Sequence, residues 1–470
     1  MKKDFVSEAL RSLLGKRCAP LVRALMAAAA TAVFYQFAYH ARYAILDEFA
    51  SFQYDEFLRI IAVMFTAIFA VSACVQMSAG KKLPLYALVG LLVITGCVTL
   101  GKISLLDYVS DDYDIFLSDW IYTYSGMGIK EGLGTYIGSD YTPPYLYLML
   151  LISRVRNFPW IYMVKALSML TDVLLGYAVM KLCSLRAKGE GTRLLSFHIA
   201  QILPTVIFNG AYWGQCDAIY VSFCLLALYL SLSKKPLRGM AAFGVALSFK
   251  LQTVFFLPAL LPLWLRKDIK LRHVLMIPAT YMAMMIPALW GGKSMHHVLT
   301  CYLQQAGNYN FITMNGPTLY QFLPLTAMDS ATLYDMFSGM AMMLGFAMLL
   351  IVCAMACFKR EAMTQENALL CCLLVLGGVP FFLPKMHERY TFGADVLALV
   401  LTVYSPKRIV LPLLFGMASY ICYTEGLPGE PILALKWSTV FQMLGIALTA
   451  AELWRGLNAG NSPELTEVKA

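Results

Sequence analysis

Five aspartates, Asp111, Asp112, Asp114, Asp119 and Asp140, fall close together in a chain that is otherwise strongly apolar. A carboxylate of this kind can deprotonate a hydroxyl in the general-base sense. Far downstream, P-K-M-H-E-R-Y (Pro384–Tyr390) supplies Lys385, His387, Glu388 and Arg389 between two apolar runs. Cations there can stabilise charge that develops on a departing group. Two further polar, aromatic turns accompany them. D-Y-T-P-P-Y contains Asp140, Tyr141 and Tyr145, and its two prolines fix an extended turn and start a helix. N-G-A-Y-W-G-Q-C-D contains Trp213, Gln215 and Asp217. A base on one side and cations on the other suit transfer of a sugar from a lipid phosphate. The leaving group is already a phosphate, so the reaction requires no general acid. An inverting transferase needs room for the incoming nucleophile, as inverting glycosidases do with carboxylates about 6.5–9.5 Å apart.

The elements that must position these groups are membrane spans. Of 470 residues, 59% are hydrophobic and 14% charged, whereas soluble domains carry about 25% charge. Apolar runs of roughly 17–25 residues are long enough to cross a hydrocarbon core. Candidate spans lie at about 20–40, 57–77, 84–105, 158–182, 192–209, 216–233, 238–266, 273–290, 333–357, 367–384, 392–404, 408–424 and 433–455. Lys and Arg cluster in the Met1–Cys18 leader, at Lys81/Lys82, between Lys181 and Arg193, and around Lys234, Arg266, Lys359 and Lys407. Short basic loops stay cytoplasmic, so the acidic loop is expected outside. So are His40–Asp55, Asn209–Asp217, Trp290–Pro317, Pro384–Tyr390 and Thr424–Pro431. The leader carries no convincing cleavage site and reads as preceding a retained first helix.

Parity sharpens this map. Arg238 and Arg266 both belong inside, so the 238–266 run must turn back on itself, and Lys250, Gln252 and Pro258 interrupt it. Two short helices meeting near the outer surface bring Lys250 to the outer mouth. The expectation is an all-α polytopic protein with fourteen crossings, a large outer loop after the third helix and both termini cytoplasmic. Pro143–Val155 either crosses or lies at the outer surface, and parity favours the surface. The organisation expected is residues 1–83 as leader and two extra helices, 84–405 as catalytic core with outer loop 106–157, and 406–470 as the C-terminal helices and tail.

Each polar group has a simpler reading. The acidic loop and His387-Glu388-Arg389 could be solvated turns, the latter with a local ion pair. Crowding by Tyr, Trp and Pro argues for a wet cavity instead, although aromatics also belt membrane interfaces. Lys165 and Asp172 share one face of a span but stand seven residues, roughly 10 Å, apart, so each is expected to pair with a neighbouring helix. The twelve cysteines show no C-x-x-C pair and no zinc spacing. The net charge of +9 follows topology and gives no sign of a nucleic-acid partner.

These motifs resemble the GT-C superfamily of polytopic glycosyltransferases, and most closely bacterial relatives of the second GPI mannosyltransferase. The resemblance is carried by D-Y-x-x-F and a tryptophan (Asp112–Trp120), D-Y-x-P-P-Y-L-Y-L (Asp140–Leu148), W-G-Q-x-D (Trp213–Asp217), F-K-x-Q (Phe249–Gln252) and H-E-R-Y (His387–Tyr390), in order over residues 84 to 405. It implies an acidic residue with a catalytic role in the first large outer loop, at the position of Asp112, with Asp111 and Asp114 competing for the role of base. It also implies a donor-phosphate element at His387, Glu388 and Arg389, and activity without a metal or other cofactor. The expected reaction is inverting transfer of a hexose, mannose first, from a polyprenyl-phosphate sugar to a glycan, lipid or protein acceptor at the outer face of the cell membrane. In that scheme Asp112 and Asp114 are catalytic, and His387, Arg389, Lys250 and Lys385 hold the donor phosphate. Asp140, Tyr141, Tyr145, Trp213, Gln215, Asp217 and Glu388 contact substrate. The rival readings are a non-catalytic component of a surface-polymer or secretion machine, and a lipid or solute transporter.

Overall fold

The computed structural model describes residues 19–45, 55–156, 158–307, 309–323, 327–427, 429 and 432–459. The leader Met1–Cys18, nearly all of the Asn458–Ala470 tail, and parts of the His40–Asp55, Trp290–Pro317 and Thr424–Pro431 loops lie outside the described residues. Regular structure among the described residues is helical. The helices are α1 (Pro20–Ile45), α2 (Asp55–Ala79), α3 (Leu85–Ile103), α4 (Ser118–Ser125), α5 (Ile129–Gly134), α6 (Pro143–Ile152), α7 (Trp160–Cys183), α8 (Glu190–Ile202) and α9 (Asp217–Leu232). They continue as α10 (Pro236–Phe249), α11 (Leu260–Leu265), α12 (Met276–Gly291), α13 (Met295–Gly307), α14 (Ala327–Phe358), α15 (Gln365–Phe382), α16 (Phe392–Thr402), α17 (Val410–Gly426) and α18 (Lys436–Asn458). Single helical turns join several of them.

Among the described residues eight helices are long and apolar enough to cross a membrane. A ninth forms if Glu190–Ile202 and Pro204–Trp213, bent by 56°, count as one span. The bend has a local cause. Pro204 forces Leu203 out of the helical region, to φ −54°, ψ 131°. The protein is thus a multi-pass membrane protein. Shorter apolar helices at Pro143–Ile152, Asp217–Leu232, Pro236–Phe249, Leu251–Leu265 and Phe392–Thr402 rise less far than a ~30 Å hydrocarbon core at 1.5 Å per residue. The interruption expected at Lys250 is present: α10 stops there and the backbone extends to φ −151°, ψ 136° before tighter turns resume.

The chain forms two compact units, one of residues up to Ser118 with Val155–Ala218, the other of Asp119–Arg154 with Ile219 onward. The first is built on α1, α2, α3, α7 and α8. Phe34 of α1 stacks on Phe69 of α2 at 4.5 Å, and Gln76 of α2 bonds Thr95 of α3 across 2.5 Å. α7 and α8 approach closely because Gly176 has no side chain; a Cβ there would meet the Phe197 carbonyl oxygen at 2.8 Å. Lys102 of α3 and Asp172 of α7 form a buried ion pair at 2.6 Å. Ionisable groups cost about 2.5–3.5 kcal/mol each at membrane depth, and pairing offsets that cost.

In the second unit α15 is the most enclosed of the spans, buried along most of its length. It packs among α14, α16 and α18. Gln442 of α18 donates Nε2 to the Gly377 carbonyl at 2.9 Å, joining the two helices inside the core. α10 packs on α12 where Gly244 leaves room for Ile277 and Thr280.

Candidate functional site

In the first unit the acidic loop is fastened at its root. Lys165, fully buried on α7, donates to the carbonyls of Leu105, Leu106 and Tyr108 at 2.9, 2.8 and 2.6 Å. These oxygens follow the end of α3, where carbonyls lose their helical partners. Tyr162 adds a bond to Asp107 at 3.1 Å. Lys165 and Asp172 therefore do pair with separate neighbours, as their spacing required, and the partner of Asp172 is Lys102. That lysine went unremarked in the sequence. Its signal was available, as the complementary charge in a nearby apolar run.

The W-G-Q-C-D turn meets the acidic loop directly. Ser110 Oγ donates to the Trp213 carbonyl at 3.2 Å, Tyr108 stacks on Tyr212 at 3.9 Å, and Gln215 Nε2 donates to Asp112 Oδ2 at 2.5 Å. Gly214 sits in the left-handed region at φ 83°, which favours glycine, and the Gln215 N–H returns to the Asn209 carbonyl at 2.8 Å. That reversal aims the Gln215 side chain. Asp112 is half-buried, whereas Asp111 and Asp114 are exposed. Trp213 and Gln215 are buried. Asp217 is completely buried and accepts from Asn209 Nδ2 at 2.9 Å, so its visible task is to hold the turn. Burial pushes the Tyr113 phenol up to about 12, with the Asp114 charge adding to it.

In the second unit Tyr141 is the centre of an aromatic group, 5.7 Å from Trp120 and 4.8 Å from Tyr145 between ring centroids. Lys250, 3% exposed, lies with Nζ 5.8 Å from the Tyr141 ring centroid. The D-Y-T-P-P-Y turn is tied to the end of α10 just before Lys250. Thr142 Oγ1 donates to the Ser248 carbonyl at 2.7 Å, and the Tyr302 hydroxyl donates to the Leu247 carbonyl. Neither Thr142 nor Tyr302 stood out in the sequence, because hydroxyls that cap a distant helix end leave no local pattern. The Asp140 carbonyl accepts from Cys301 Sγ at 3.5 Å.

The H-E-R-Y turn lies in the same unit. Glu388 is buried between His387, at 3.9 Å, and Arg389, at 3.3 Å. The local ion pair of the simpler reading is present, but the turn is far from solvated: the side chains of His387 and Arg389 are 19% and 12% exposed. Burial, then the charges of Arg389 and Lys250, hold His387 well below the ordinary histidine range. At neutral pH it is therefore a neutral imidazole. Tyr309 and Tyr390 flank its ring at 5.9 and 5.1 Å. The Met314 and Gly316 N–H groups both donate to the Met386 carbonyl, at 3.1 Å each, and a Cβ on Gly316 would strike that oxygen at 2.5 Å. Lys385 Nζ bonds Asn310 Oδ1 at 3.1 Å and lies 4.9 Å from the Tyr334 ring centroid.

The sequence-predicted residues therefore gather as two clusters: Asp112 with Trp213, Gln215 and Asp217, and Tyr141 with Tyr145, Lys250, His387, Glu388 and Arg389. Among the described residues no group of three or more His, Cys, Asp and Glu side chains could hold a metal ion. The cysteines among the described residues are free thiols.

The chain is similar to GPI mannosyltransferase 1 of Candida albicans, 23% identical over 155 residues, which is 33% of this chain and 37% of that protein. The match thus spans little over a third of the relative's length, and it falls on the first GPI mannosyltransferase where the sequence motifs suggested the second. No protein-family profile matches the chain, and no solved structure matches it.

Proposed function

We propose that this protein is a membrane glycosyltransferase that moves a hexose, mannose first, from a polyprenyl-phosphate sugar to an acceptor hydroxyl with inversion. The observation that carries the reading is the setting of Asp112. It is half-buried and gripped by Gln215, on a loop anchored by Lys165, as a general base must be held. The partial similarity to GPI mannosyltransferase 1 supports the same class. In the reaction the acceptor oxygen bonds to the anomeric carbon as the bond from that carbon to the phosphate oxygen breaks. Asp112 takes the acceptor proton, and the bonding pair leaves with the polyprenyl phosphate. Asp111 and Asp114, exposed beside it, are the alternative proton acceptors. Lys250, Arg389 and the neutral His387 donate to the phosphate oxygens, and Tyr141 and Tyr145 offer a sugar-stacking wall. No resident metal or cofactor enters this scheme. Fourteen crossings, an outward-facing acidic loop and cytoplasmic termini complete the proposal.

The test is donor choice in proteoliposomes. Labelled hexose passing from polyprenyl-phosphate mannose or polyprenyl-phosphate glucose, with none from the corresponding nucleotide sugars, is the expected result. Transfer only from nucleotide sugars overturns the donor assignment. Absence of transfer from any donor returns the protein to the non-catalytic or transporter readings.

A further inference from the structure

The end of α12 and the helix that follows it form a surface that the transfer chemistry leaves unused. The span Leu271–Gly291 closes on Trp290, 63% exposed, with Lys130 Nζ 5.5 Å from its ring centroid. Lys130 is delivered there by a glycine crossing: a Cβ on Gly134 would fall 2.0 Å from the Gly291 carbonyl oxygen. Only Gly292, Lys293 and Ser294 separate α12 from α13. α13 therefore begins at the depth at which the span ends.

α13 has three faces rather than two. At 3.6 residues per turn, Val298, Cys301, Tyr302 and Gln305 form the protein side. Cys301 and Tyr302 make the bonds to Asp140 and Leu247 already described, and Tyr281 bonds the Val298 carbonyl at 2.9 Å. Met295, Leu299 and Leu303, spaced by four, form an apolar stripe that is 47%, 58% and 74% exposed. His296, Thr300 and Gln304 form the polar third. A helix that packs on protein along one line, shows hydrocarbon along the next and polar groups along the third suits a place where protein, acyl chains and water meet.

Charge collects at the same end. Lys130, buried Lys293, His296 and His297 stand around the start of α13, where the helix dipole is positive. Lys293 spends one N–H on the Thr135 carbonyl at 3.0 Å. Burial, then the nearby Lys293 and His296, push the His297 pKa down, a crowding that an anion would relieve.

We propose that α13 lies in the headgroup layer of the membrane, with Met295, Leu299 and Leu303 in the acyl boundary and Lys130, Lys293, His296 and His297 binding the phosphate of an anionic lipid. That phosphate comes from bulk phospholipid or from a polyprenyl phosphate. The inference rests on the membrane character of the chain and not on sugar transfer. Because α13 is bonded to the Asp140 turn and to the end of α10, a lipid held there stands beside the loop that carries Tyr141.

The test uses the full chain in phosphatidylcholine nanodiscs containing photoreactive lipids. One probe is phosphatidylglycerol with a headgroup diazirine, the other a lipid with the diazirine at the acyl terminus. Peptide mapping by mass spectrometry is expected to find the headgroup probe on residues 293–304. The acyl-terminus probe is expected on α12 near Ile286, 61% exposed, and absent from α13. The Lys130→Ala, His296→Ala pair is expected to lower headgroup labelling of 293–304 by about fivefold or more, the effect of one basic residue near an anionic surface, while labelling at Ile286 stays unchanged and so reports intact folding. Competition by a small fraction of polyprenyl phosphate assigns the phosphate to that lipid, and lack of competition assigns it to bulk phospholipid. Either supports the site. An unlabelled α13, acyl-terminus labelling of α13, or headgroup labelling indifferent to the charge pair overturns it.

Discussion

Gln215 donates its side-chain amide to the carboxylate of Asp112 across 2.5 Å, joining two turns that lie 103 residues apart in sequence. The Gly214 reversal points Gln215 at Asp112, and Lys165 fixes the chain from which Asp112 departs. In the proposed transfer Gln215 is therefore a positioning residue rather than a substrate contact. Gln215→Ala is expected to lower kcat by roughly ten- to hundredfold, the worth of a hydrogen bond to a charged group, and to leave KM for donor and acceptor unchanged. Steady-state kinetics with both substrates checks this. A raised KM with kcat intact instead makes Gln215 a substrate ligand.

The Lys102–Asp172 pair, with side chains 4% and 1% exposed, makes a stability prediction that is independent of activity. Lys102→Met or Asp172→Leu alone leaves an uncompensated buried charge and is expected to cost about 3–5 kcal/mol. The double variant is expected to recover most of that loss. Thermal unfolding in detergent, compared across the two single variants and the double, gives the answer. Additive losses in the double would show that the pair is not coupled.

Much of this was legible in advance. Eight of the expected apolar runs are long enough to span among the described residues, while runs such as 216–233 and 392–404 form shorter helices. The break at Lys250 is where the sequence interrupts the 238–266 run. The pairing of Gln215 with Asp112 was not legible, because nothing local in either turn encodes a partner so far away. The Thr142 and Tyr302 bonds to the end of α10 were hidden for the same reason. Lys102 could have been found from charge complementarity with Asp172. The neutral state of His387 could not, since it depends on burial and on the approach of Lys250 and Arg389.

His387 sets a pH dependence whose sign is fixed. Its folded pKa lies well below the ordinary value of 6.5, so the unfolded chain binds a proton that the folded chain refuses. Stability is therefore full above about 6.5 and falls as pH drops toward the folded pKa. His387→Asn is expected to flatten this part of the Tm-against-pH curve between about pH 6.5 and 5 relative to wild type. An identical slope in both proteins would assign the acid sensitivity to other groups.

The hydroxyls on the end of α10 are expected to act through Lys250. Thr142→Val and Tyr302→Phe each strand a carbonyl and are expected to cost about 1–3 kcal/mol of stability. If Lys250 binds the donor phosphate, both variants also raise donor KM more than acceptor KM. Equal changes in the two KM values would separate this clamp from the donor.

Asp112, as the proposed base of a lipid-phosphate-dependent sugar transfer, is removed as a proton acceptor in Asp112→Asn. The amide keeps the shape and the neighbourhood of Gln215 but cannot accept the acceptor's proton. Labelled hexose transfer in proteoliposomes is expected to fall by at least ~100-fold, the lower bound for loss of general-base catalysis, with the variant folding as wild type does. Transfer at the wild-type rate would show that Asp112 is not the base and move that role to Asp111 or Asp114.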